Sequence, residues 1–232
     1  MSARPILVSL LLATSLAMVL VPRQAQAEVP PKVFYMGAKA GLHSAYIEGI
    51  PRYDSQGHQQ AFRTASAAVG FLVHWRIFER LGIEGGMYYV GRGYEQRGTI
   101  YGVPQPEQGA PHASNDVVML TYMQLEALVS VLPLGWLGPV APRINLGVYG
   151  ASLSRSNLNQ YDTNPVSHVP VRSDTLAGFD YGAIVAVNMD FDLDDLVMTV
   201  EFRYELGLAD ISVDPEVVWL NDTVGVRVGF MY

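Results

Sequence analysis

The feature that most constrains this chain is a two-residue alternation of apolar with polar or small side chains, repeated from about Phe34 to Tyr232. Successive side chains of a strand point to opposite faces, so such a segment builds a two-faced sheet and not a helix. Half of the residues are hydrophobic. Yet beyond residue 27 no apolar run reaches the roughly 20 residues that a membrane helix requires. Hydrophobicity spread in this way predicts an all-β chain.

Eight segments carry the pattern. In the first, Phe34, Met36, Ala38, Ala40 and Leu42 oppose Tyr35, Gly37, Lys39, Gly41 and His43. In the second, Ala67, Val69, Phe71, Val73, Trp75 and Ile77 oppose Gly70, His74 and Arg76; in the third, Ile83, Met87 and Tyr89 oppose Glu84, Tyr88 and Arg92. The fourth sets Val117, Met119, Met123, Leu125, Ala127 and Val129 against Gln124, Glu126 and Ser130, but its polar face also holds Val118, Leu120 and Leu128. The fifth opposes Ile144, Leu146 and Val148 to Arg143, Asn145 and Tyr149. The sixth, from Phe179 to Phe191, alternates most regularly, with Asp180, Gly182, Asn188 and Asp190 on its polar face. Glu201, Arg203 and Glu205 mark the polar face of the seventh, and Gly225, Arg227 and Gly229 that of the eighth.

The links alternate in length. Short ones follow the second, fourth and sixth segments (Glu79–Leu81, Pro133–Ala141 and Asp192–Asp195). Long ones rich in Gly, Pro, Ser, Asn and Gln follow the others, the longest being Tyr94–Asn115 and Ser156–Ala177. Loops of that length are unusual in compact domains. Transmembrane barrels have short periplasmic turns, long outer loops and an even number of strands.

A lipocalin-like barrel also alternates, with its apolar face inward, so the polar face must decide between the two classes. It carries Lys39, Arg76, Arg92, Arg143, Arg203 and Arg227 against Glu84, Glu126, Asp180, Asp190, Glu201 and Glu205. A balanced, arginine-rich set suits the interior of an eight-stranded barrel, which side chains just fill, because buried charges need partners. Gly37, Gly41, Gly70, Gly86, Gly147, Gly182 and Gly229 lie on the same face and leave room for long side chains. Phe34, Trp75, Tyr89, Phe179, Phe191, Phe230 and Tyr232 near the segment ends fit interfacial aromatic girdles. The expected fold is therefore an eight-stranded antiparallel up-and-down transmembrane β-barrel over residues 28–232, in the cell outer membrane.

Arg4, the apolar run Ile6–Val21 and Ala25-Gln26-Ala27 read as a signal peptide over residues 1–27, cleaved before Glu28. There is no cysteine, which excludes disulfides and lipid attachment through a terminal thiol. The formal charge of −7 becomes −9 once Arg4 and Arg23 are removed. An acidic chain argues against nucleic-acid binding, which needs a basic surface. The ending Phe230-Met231-Tyr232 resembles the signal by which the barrel assembly machinery recognises its clients.

Several short motifs resemble the PorT-type outer-membrane β-barrel family. They are Lys39-Ala40-Gly41-Leu42, Tyr88-Tyr89-Val90-Gly91-Arg92-Gly93, Gly147-Val148-Tyr149-Gly150 after Pro142, and Asp180-Tyr181-Gly182. Glu201-Phe202-Arg203-Tyr204-Glu205-Leu206-Gly207-Leu208 and Asn221 with Gly225 and Gly229-Phe230 complete the set. The resemblance spans most of the chain after residue 27. It departs at Glu126, which is followed by Ala127-Leu128 where the family often has proline. It implies the same barrel fold and no defined activity.

His112-Ala113-Ser114-Asn115 resembles the His-x-Ser-Asn region of lipid A deacylases, in which the His would activate the Ser for attack on an ester. The alternative is a chance run of polar loop residues. His43 and His74 share a face, where packing and hydrogen bonding compete with metal ligation, which needs more ligands. Asp192-Leu193-Asp194-Asp195 lacks the spacing of a calcium loop and reads as a turn. The row Glu201, Arg203 and Glu205 reads as structural, bridging to Arg227 and Arg143 across the lumen, with an ion relay as the alternative.

No catalytic residue, cofactor or metal is expected. The expected role is a non-enzymatic barrel with a plugged polar lumen and long outer loops that bind a partner or shield the surface. Tyr53, Tyr94, Tyr101 and Tyr161 are candidate loop contacts. Outer-membrane lipid and lipopolysaccharide, the assembly machinery and an extracellular ligand or protein are the expected partners. A lipid-modifying enzyme, a narrow pore and a soluble periplasmic binding barrel are the alternatives.

Overall fold

The computed structural model describes residues 33–48, 60–99, 113–161, 167–169, 176–212 and 218–232. Its strands are β1 (Phe34–Glu48), β2 (Gln60–Phe78), β3 (Leu81–Thr99), β4 (Ala113–Val131), β5 (Val140–Tyr161), β6 (Ser167–Val169), β7 (Phe179–Leu193), β8 (Leu196–Gly207) and β9 (Leu220–Met231). Apart from the three-residue β6, each strand pairs antiparallel with the next, and β9 returns to β1. The eight long strands form one closed barrel, and β6 lies along the far end of β5. All eight segments read from the alternation are strands of this barrel.

The register fixes the shape. From Met36 the ladder passes through Val73, Gly85, Ala127, Val148, Ala183, Leu206 and Asp222 and returns to β1 at Tyr46, ten residues further on (46 − 36 = 10). A shear of ten over eight strands tilts the strands by roughly 40° to the axis. At that tilt about 9–11 residues cross a bilayer.

The short links sit at one end with both described termini. β2 ends at Phe78 and β3 begins at Leu81, and Asp194-Asp195 turns between β7 and β8 with Asp194 at φ 65°. The link after β4 is longer and folds across the mouth. Gly135 and Gly138 take φ of 67° and 65°, a conformation costly for residues with a Cβ, and Leu137 bridges to Val140. Short turns place this end in the periplasm.

The opposite end is uneven. β2, β3 and β4 have 19 residues each and β5 has 22, whereas β1 and β7 have 15 and β8 and β9 have 12. The second group barely exceeds a membrane crossing. The first stands about 10–25 Å higher, at roughly 2.5 Å of axial rise per tilted residue. This corrects the expected loops Tyr94–Asn115 and Ser156–Ala177, because their arms continue the ladder: Thr99 pairs with Ala113, and Tyr161 with Asn115. Alternating hydrophobicity ends where strands leave the bilayer, so polar strand extensions read as loop.

Candidate functional site

The outward parity is the apolar one. Phe71, Leu125, Val148 and Phe202 lie exposed around the middle of the wall, Phe34, Trp75, Phe230 and Tyr232 toward the periplasmic end, and Tyr89, Phe179 and Tyr181 toward the outer end. The inward parity holds all twelve charged residues identified above, each at most 8% exposed. Glycines on that face admit the long side chains. A Cβ on Gly182 would lie 2.6 Å from the Tyr149 ring, and one on Gly229 would collide with the Lys39 side chain.

Inside, the ion pairs form a continuous column. Near the periplasmic end Arg143 donates to Glu84 (2.6 Å) and through Nε to Asp190 (2.8 Å). Lys39 links Glu84 (2.6 Å) to Glu201 (2.8 Å). Arg203 donates to Glu201 (2.9 Å) and Glu126 (3.1 Å), and its Nη2 lies 2.8 Å from Glu205. Arg227 donates to Glu126 (2.9 Å) and to Nε2 of His43 (3.1 Å). Toward the outer end Arg92 bonds Asp180, Gln124 and, at 2.7 Å, Glu205.

Tyrosine rings line this column. The Arg227 guanidinium lies 4.1 Å from the centre of Tyr88, and that of Arg92 lies 4.4 Å from Tyr149 and 5.4 Å from Tyr122. A guanidinium stacks on a ring face while its edge keeps hydrogen bonding. This suits arginine to the positions of Arg92 and Arg227.

Apolar clusters close both ends. At the periplasmic mouth Trp136, from the β4–β5 link, packs with Tyr35, Leu72, Val197 and Met231, and Leu132 of the same link lines the cavity beside them. At the outer end Ile47, Val118, Leu120, Leu176 and Ile211 cluster, with Tyr94, Leu153 and Trp219 against them. Two connecting segments cross there: Leu176 bridges to Ser212, and Ile211 N–H bonds Trp219 O at 2.9 Å. Val118 and Leu120, which disturbed the alternation of the fourth segment, belong to this outer cluster.

A polar, ion-paired interior within an apolar exterior is the inverse of a water-soluble barrel. The chain is an outer-membrane β-barrel protein. No protein-family profile matches it, and no protein of established function matches it in sequence. Among solved structures it is similar to Ail, the attachment invasion locus protein of Yersinia pestis, in complex with the heparin analogue sucrose octasulfate. That match has 8% identity and a TM-score of 0.41 over 87% of this chain and 100% of that one. It is similar also to OprG from Pseudomonas aeruginosa (11%, 0.46, 86% and 94%) and to Neisserial surface protein A (11%, 0.45, 86% and 96%). Identities this low transfer no residue roles.

Some of the candidate sites are placed differently from expectation. Glu201, Arg203 and Glu205 do bridge to Arg227, through Glu205 at 3.4 Å, but Arg143 pairs with Glu84 and Asp190 instead, and Lys39 takes the expected place beside Glu201. Tyr94 is no loop contact: it packs against the outer apolar cluster from within β3. Tyr53, Tyr101 and His112 lie outside the described residues. The backbone of Ala113-Ser114-Asn115 opens β4 opposite Gly98 and Arg97, not a loop, and Tyr161 ends β5. His43 and His74 each meet an arginine, His74 Nδ1 lying 3.2 Å from Arg143 Nη1. Asp194-Asp195 is the expected turn. Trp136 and Tyr122 were not singled out from the sequence, and Asn221, which donates to Asp180 at 3.0 Å, was marked only as part of a short motif of the last segment.

Proposed function

We propose that this barrel is a non-enzymatic scaffold that displays a raised wall, β2–β5, and its connections at the cell surface, where they bind a partner or shield the membrane. The carrying observation is the difference in strand length, which lifts one half of the barrel about 10–25 Å above the other. Rigid scaffolds with surface connections are where binding residues concentrate. The filled lumen favours this role over a pore, since all twelve lumen charges named above are buried. In this reading residues 1–27 direct export, lipopolysaccharide surrounds the outer rim, and the assembly machinery inserts the chain. The PorT-type resemblance rests on its short motifs alone and adds no role.

Replacing residues 100–112 by a two-residue turn tests the proposal on intact cells. Unchanged insertion with altered surface adhesion or altered sensitivity to surface-active agents supports a display role. Unchanged surface behaviour counts against it. Planar-bilayer recording of the wild type should show no discrete conductance. Ser114→Ala should leave lipid A acylation unchanged; a change would turn the reading toward the deacylase.

A further inference from the structure

The lumen charges balance in number but not in space. All six carboxylates, Glu84, Glu126, Asp180, Asp190, Glu201 and Glu205, are engaged by five cations: Lys39, Arg92, Arg143, Arg203 and Arg227. Arg76 stands outside this network. It is 8% exposed, and among the described residues it makes no ion pair within 4.0 Å. Its contacts are with Tyr35: Nη2 donates to the phenol oxygen at 3.3 Å, and the guanidinium carbon lies 5.8 Å from the ring centre. Its Nε–H is buried without an acceptor. A desolvated cation without a counter-charge is costly, and such a group needs an anion from elsewhere.

The surroundings have a place for one. Arg76 lines a cavity of about 10 Å³ at the periplasmic mouth with Tyr35, His74, Arg143 and Asp190, under the Leu132 and Trp136 side chains of the β4–β5 link. That is room for one water-sized guest. Asp190 already accepts two hydrogen bonds from Arg143 (2.8 and 3.2 Å), and His74 faces Arg143 through Nδ1. The cavity wall thus presents two guanidinium groups against one carboxylate.

We infer that Arg76 and Tyr35 form a binding site for a small monovalent inorganic anion of chloride size, seated beneath Trp136 at the periplasmic mouth. The guanidinium Nε–H and the Tyr35 hydroxyl supply donors, and the Arg143–Asp190 pair completes the wall. A cavity of this volume suits a single small anion better than phosphate or a carboxylate. The rival counter-charge is Asp192, half-exposed and on the lumen parity of β7, which the test separates.

The test uses the chain from residue 28 onward, refolded in detergent with Trp75→Phe and Trp219→Phe, so that Trp136 alone reports. Chloride or bromide is titrated at constant ionic strength against gluconate, an anion too large for the cavity. The site predicts a saturable change in Trp136 emission with both halides, weakened about tenfold or more in Arg76→Gln and kept in Arg80→Gln on the exposed β2–β3 turn. An identical response in Arg76→Gln, or one that follows salt whatever the anion, overturns the site and leaves an adventitious ion only. A halide response that arises only in Asp192→Asn also overturns it and assigns the counter-charge to Asp192. Heat-modifiable mobility of each variant confirms that the barrel has folded.

Discussion

The same four strands, β2–β5, have opposite interiors at their two levels. Within the membrane section their inward side chains are polar: Glu84, Glu126 and Arg143 belong to the ion-pair column, and His74 meets Arg143 through Nδ1. Above it, the inward residues Val118, Leu120 and Leu153 are apolar and close a small core with Ile47, Leu176 and Ile211. The difference follows from the solvent outside. In the bilayer the exterior must be apolar, so the polar parity is left for the interior, where charges are tolerable only as a connected network. Above the bilayer the exterior meets water, and the ordinary rule of an apolar inside returns. One β-ladder therefore crosses two solvents and changes its inside chemistry between them.

The largest effect should come from breaking the column. Glu205 is held by Arg92 at 2.7 Å and lies 2.8 and 3.4 Å from Arg203 and Arg227. Glu205→Ala leaves three guanidinium groups short of a partner and should cost about 3–5 kcal/mol in urea unfolding from lipid vesicles. A loss below about 1 kcal/mol would show that the column relaxes or hydrates freely, and the two levels would then differ less than their composition suggests.

The outer cluster should respond as a soluble core does. Leu120 is fully buried, and Leu120→Ala should cost about 2–5 kcal/mol through lost burial and the cavity left behind. The lipid face should reject charge instead. Val148, outward and near mid-wall, is expected to cost about 2–4 kcal/mol as Val148→Arg, whereas the same change on an outward residue at the rim should cost about 1 kcal/mol or less. Equal costs at both heights, by the same unfolding measurement, would remove the membrane boundary drawn between the levels.

What the sequence made legible follows the same boundary. In the membrane section each strand has one apolar and one polar face, so the alternation, the balanced charges of the polar face and the link lengths together identified the barrel, its direction and its twelve lumen charges. Pairing was not legible, because parity says which side chains enter the lumen but not at what height. Height depends on a shear of ten residues accumulated over eight strand pairs. This is why Arg143 was assigned to Glu201 and Glu205 and meets Glu84 and Asp190 instead. Above the membrane the pattern itself fails. The extensions of β3 and β5 are mostly polar and read as loops, and Tyr94 read as a loop contact when it packs against a core.

The smallest effect tests whether the boundary is also marked from outside. Arg63, exposed on the outward face of β2, lies with its guanidinium carbon 5.7 Å from the Tyr46 ring and donates to Ser44 O at 3.2 Å. A cation over an interfacial tyrosine joins neighbouring strands where the apolar belt gives way to headgroups. Arg63→Gln should lower stability by about 0.5–1 kcal/mol at most. Its diagnostic is the medium: the loss should be larger in vesicles whose lipids carry phosphate-rich headgroups than in a neutral detergent, since the arginine then loses both the ring and the anionic surface. The same small loss in both media would make Arg63 a local brace between β1 and β2, and the outer boundary would rest on the aromatic girdle alone.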